Sequence, residues 1–153
     1  MRLWIEPITD RTISDVNYVK ELKTKGWDNM SNAEKVEWMS GLKGSINRSD
    51  YDRIKNNILL LSDIFELKIN MDDAPTFPDK AYYEKLLEYI EIIRKAYCVR
   101  PTTPVTPKMP LNRFDKWNAV EKILDDVYFI LTSNFFYYAG AGLYSGGDIG
   151  LLE

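Results

Sequence analysis

The chain predicts an all-α fold: a helical bundle with three similar long helices, an N-terminal helical hairpin, and extended linkers and termini. Two observations carry this. Asn47, Asp79 and Asn112 are helix-capping residue types, each preceded by Ile46, Pro78 or Leu111, and they stand 32 and 33 residues apart. Each opens the same phrase, an aromatic residue followed by apolar residues at steps of three, four, three and four. It reads Tyr51, Ile54, Ile58, Leu61, Phe65, then Tyr83, Leu86, Ile90, Ile93, Tyr97, then Trp117, Val120, Leu124, Val127, Leu131. That spacing places five side chains on one face of a 3.6-residue helix.

Taken in order, residues 1–12 form an N-terminal docking arm, extended through Pro7 and anchored by Trp4, either tucked into the core or offered to a neighbour. Asp10 or Thr12 caps a first helix, with Asp15 three residues after Thr12 as the capping-box acid, and its stripe of Ile13, Val16, Val19 and Leu22 stops at Gly26. Ser31 with Glu34 makes a second box, opening a short helix on which Val36, Met39 and Leu42 face one way, with Gly44 as its stop. The first repeat helix follows, with Asn47 accepting an amide near Asp50. Residues 68–71 are expected as a short strand or an extended crossover. After the second repeat helix, residues 99–110 carry four prolines, so this linker is not helical. At about 3.1 Å per residue in a polyproline path it reaches nearly ~40 Å, against about 27 Å for an 18-residue helix. It could therefore return along the whole bundle and leave successive repeat helices parallel, with antiparallel order as the open alternative. The last helix is expected from Arg113 to roughly Asn134. The bundle domain covers residues 13–138, and a Gly-rich C-terminal tail covers residues 139–153.

The 153 residues are 45% hydrophobic with 10 Tyr, 6 Phe and 4 Trp, a globular composition rich in aromatic contacts; a chain this long buries about 70% of its unfolded surface. A net charge of -3, with acids and bases interspersed, argues against nucleic acid as a partner. No apolar run has the length of a signal peptide or a spanning helix, so synthesis in the cytoplasm without membrane insertion is expected.

The absence of histidine removes Ser-His-acid and Cys-His catalysis and every His-containing metal site. Cys98 is the sole cysteine and is read as a packing residue near a helix end. The acid pairs Asp72 with Asp73 and Asp125 with Asp126 lack the grammar of a calcium loop and are read as solvated. No phosphate-cradling Gly motif stands after a strand. No catalytic, cofactor or metal residue is therefore expected, and the protein is expected not to be an enzyme. The candidate partner-binding residues are Trp4 in the arm and Phe135, Phe136, Tyr137, Tyr138, Leu143 and Tyr144 near the C-terminus, aromatic load that asks for cover.

Two phrases carry a resemblance. Trp4 to Thr12 reads W-x-x-P-x-T-D-R-T, and Gly41 to Asn57 reads G-L-K-G-x-[IL]-N-x-x-D-x-x-R-I-x-x-N. With residues 111–124 and the closing YYAGAGLYSGGDIG, the chain resembles small structural proteins of the tail and baseplate modules of phages and prophages of Gram-positive bacteria. The resemblance implies a virion or tail-like particle component whose partners are other phage structural proteins and itself, with no catalytic residues. The rival reading is a cytosolic regulatory or small-molecule-binding helical bundle.

Overall fold

A computed structural model describes the backbone of residues 2–141 and the side chains of residues 2–133. Its elements are α1 (Ile13–Lys25), a 3-10 turn (Trp27–Asn29), α2 (Asn32–Ser40), α3 (Arg48–Phe65), α4 (Lys80–Ala96) and α5 (Phe114–Ala141). The fold is all-α, and no strand occurs among the described residues. Residues 68–71 are irregular. They lack a strand partner, and Lys68 adopts a left-handed φ of 59° that breaks any extended run.

The aromatic residues that open the three repeat phrases meet at one end of the bundle. The Tyr51 and Tyr83 hydroxyls are 2.8 Å apart, and the Trp117 ring lies edge-on to both, 5.9 Å from each. At the other end Phe65 packs on Tyr97. The three long helices are therefore parallel, which requires two crossovers. The first descends α3: Ile69 N–H donates to Ser62 Oγ, Lys55 pairs with Asp73, and Arg48 donates to the carbonyls of Ala74 and Pro75. The proline-rich second descends α5: Thr103 donates to Asp126, and Lys116 donates to the carbonyls of Lys108 and Pro110. Asp126 is thus buried and bonded to Thr103 and Lys122, not solvated. The crossover needs an acceptor there.

Between the two ends lies one apolar core. Ile58, Leu61, Ile90, Ile93, Leu124 and Val127 are fully buried, as the common stripe requires. Close packing between helices is concentrated among α3, α4 and α5.

Helix ends depart from the sequence reading in four places. Gly41, at φ 96°, closes α2 three residues before Gly44 and leaves Leu42 outside it. Asn47 turns its side-chain amide back to the carbonyls of Leu42 and Ser45, and the Asp50 carboxylate takes the Asn47 N–H instead. The first acceptor of α5 is the Arg113 carbonyl, one residue after Asn112. The helix runs on to Ala141, past both the expected end at Asn134 and the domain edge at 138. Cys98 lies beyond α4 and is exposed, so it does not serve packing.

Candidate functional site: the arm groove and the hairpin

The N-terminal arm lies against α3 and α5 and is read there through its backbone. Asn57 donates to the Ile5 carbonyl at 2.7 Å and accepts the Ile5 N–H at 3.1 Å. Asn118 brackets Arg11 in the same way, at 2.9 and 3.1 Å. Asn56 donates to the Leu3 carbonyl, and Glu121 accepts the Ile8 N–H. Side-chain amides thus stand in for the strand edge that an all-α surface lacks. Trp4 stacks on Tyr128 with ring centroids 4.0 Å apart and planes 6° from parallel. At the surface this stacked pair borders a groove of about 330 Å³ shared with Leu60, Ile64 and Leu131.

Arg11 anchors the other end of the arm in a buried charge network. Its Nη2 lies 2.8 Å from Glu121 Oε2 and 3.2 Å from Asp50 Oδ1, while Arg53 donates to Glu121 at 2.7 Å and to Asp50 at 2.6 Å. Side chains of Arg11 and Glu121 are 1% exposed. Two guanidinium groups balance two carboxylates, so the network is neutral. Burial works to lower the Arg53 pKa, but the hydrogen bonds it donates to Glu121 and Asp50 outweigh it and hold the group above its ordinary value.

At the aromatic end, burial and then the Tyr83 hydroxyl push the Tyr51 phenol well up. Burial pushes Tyr82 up to about 12. A cavity of about 450 Å³ opens between the hairpin and the bundle, with Ile13, Val16 and Gly44 on one side and Tyr51, Tyr83 and Trp117 on the other. Arg11 also lines it, and its Nε makes no hydrogen bond.

The hairpin itself buries Val19 and Leu22 of α1 together with Met30, whereas α2 buries none of its residues. Val36 is 65% and Met39 76% exposed, and Ile13 and Trp27 are exposed too. At its base Gly44 lies so close to α1 that a Cβ there would sit 2.1 Å from the Asp15 carbonyl oxygen.

Of the residues singled out from sequence, Trp4 joins this site from the arm. Phe135, Phe136, Tyr137 and Tyr138 fall within the backbone span of α5, with side chains outside those described, and Leu143 and Tyr144 lie outside the described residues. The buried network was not anticipated, although its signal was present. Asp50, Arg53, Asn57 and Glu121 are polar residues at positions that the helical period sets on or beside the apolar stripe. Arg11, Asp50, Arg53 and Asn57 are also written letters of the two resemblance phrases, which meet here as arm and groove. Among the described residues no group of His, Cys, Asp or Glu could hold a metal ion, and no helix is long and apolar enough to cross a membrane. Comparisons with protein-family models, with curated proteins and with solved structures find no match.

Proposed function

We propose that this chain is a non-enzymatic structural component, a connector of a phage tail, baseplate or tail-like particle, that assembles through surfaces at the ends of a rigid parallel bundle. The observation that carries this reading is the hairpin, where α2 has no fully buried side chain and leaves Val36 and Met39 open. Trp38 is the apolar side chain of this helix that is partly covered, and the open Val36 and Met39 form an apolar patch that fits a partner's surface. The resemblance of the arm and groove phrases to tail-module proteins supplies the setting, with other structural proteins of the particle and further copies of the chain as partners.

The test is Val36→Asp with Met39→Asp. Because both side chains are exposed, the melting temperature should hold while incorporation into particles is lost. A double variant that incorporates like the parent sinks the proposal.

The cavity of about 450 Å³ beside Tyr51, Tyr83 and Trp117 favours a second reading, a bundle that binds a small molecule. Native mass spectrometry of the purified chain separates the two. A retained ligand whose mass is lost in Trp117→Ala favours the pocket, and a bare chain favours assembly.

A further inference from the structure

We infer that the groove on α3 and α5 is a receptor for an arginine-bearing extended segment, and that the second occupant it takes is the arm of another copy of this chain. Two copies would exchange residues 2–40 about the connection 41–46. This rests on the reading of the chain as an assembly component and names the partner and the contact.

Recognition in the groove does not depend on where the arm comes from. Asn57 and Asn118 bracket the backbone at Ile5 and Arg11, Tyr128 stacks on Trp4, and Glu121 and Asp50 receive Arg11. An arm delivered by a second copy makes each of these bonds unchanged, so exchange preserves the contacts between arm and groove.

Charge dictates that the groove must be filled. With Arg11 withdrawn, Arg53 alone faces Asp50 and Glu121, so the vacated groove carries one net negative charge that an arriving guanidinium balances. An open monomer is therefore disfavoured, and a released arm is driven into another groove.

What joins arm and hairpin to the bundle is slight elsewhere. The seam holds the cavity of about 450 Å³, and close helix packing is concentrated within the bundle. The connection begins at Gly41, whose φ of 96° bends the chain back; six residues drawn out there reach about 20 Å, enough to carry the hairpin across to a neighbour. Concentration then decides between closed monomer and exchanged dimer.

The experiment bridges arm to groove at an exposed contact. Arg2 Nη1 and Asp63 Oδ2 are 3.0 Å apart, so Arg2→Cys and Asp63→Cys are introduced with Cys98→Ser. The chain is concentrated, incubated, and separated by gel filtration with light scattering. Each peak is diluted and treated at once with a short bismaleimide before denaturation. The expected result is a dimer fraction that rises with concentration and whose bridges join two chains, beside a monomer fraction bridged within one chain. A protein that stays monomeric at every concentration overturns the inference. So does a dimer whose bridges stay within one chain, an outcome that leaves the assembly reading standing. Failure of the assembly reading is seen separately, in the Val36 and Met39 variant.

Discussion

Removing Arg11 strands two carboxylates beside one guanidinium, whereas removing Arg2 breaks one exposed pair with Asp63. Arg11→Ala should therefore cost about 3–5 kcal/mol in denaturant melts, and Arg2→Ala at most about 1 kcal/mol. Similar losses for both would mean that the buried network does not hold the arm. The tyrosines at the aromatic end set an alkaline limit. Tyr82 is raised to about 12 and Tyr51 is raised as well, so the folded state keeps protons that the unfolded chain releases near pH 10. Their contribution is fully present below about pH 10 and is lost as pH rises toward 12. A melting temperature that falls across that window, together with the rise of phenolate absorbance, is the expected outcome; titration of all tyrosines near pH 10 with no loss of stability would contradict it.

At the scale of elements, the stripe and the hairpin respond differently to substitution. Ile58→Ala or Leu61→Ala opens a void in a fully buried layer and should cost about 2–5 kcal/mol, against at most about 1 kcal/mol for Lys55→Ala, which loses a partly exposed pair with Asp73 of the crossover. Gly44→Ala drives a methyl group into the Asp15 carbonyl. Since backbone rather than a flexible side chain stands in the way, about 1–3 kcal/mol should be lost, with hydrogen exchange accelerating in α1 more than in α4. Acceleration spread evenly over all helices would show that the hairpin and the bundle open together. The two crossovers explain why polar residues on α3 and α5 cannot be judged by their helix alone. Ser62, Arg48, Lys116 and Asp126 satisfy the backbone or hydroxyl groups of the crossover segments laid against them.

For the whole molecule, parallel helices make the two ends chemically unlike. One end carries the hairpin with Val36 and Met39. At the other, the register that sets Trp117 beside Tyr51 brings Leu131 level with Phe65, and α5 continues to Ala141, about 15 Å further at 1.5 Å per residue. A cut after Ala141 spares that helix. If the chain assembles into a particle as proposed, deleting residues 142–153 should leave the melting temperature nearly unchanged and abolish incorporation; earlier melting with intact assembly would assign the tail to the fold instead.

The amino-acid sequence by itself determined the helical class, the two capping boxes and the inward face of each long helix, because a 3.6-residue period and a cap are local properties readable within one turn. Its long proline-rich linker allowed parallel order by reach but did not decide between parallel and antiparallel. Only the tertiary structure decided that Arg11 meets Glu121 110 residues away, that Asp126 is buried, that Asn47 faces backward, and that Cys98 and Met39 are left outside. The fate of a polar or small side chain depends on which distant segment arrives to bond or cover it, and that is settled by how the crossovers and the arm close over the bundle.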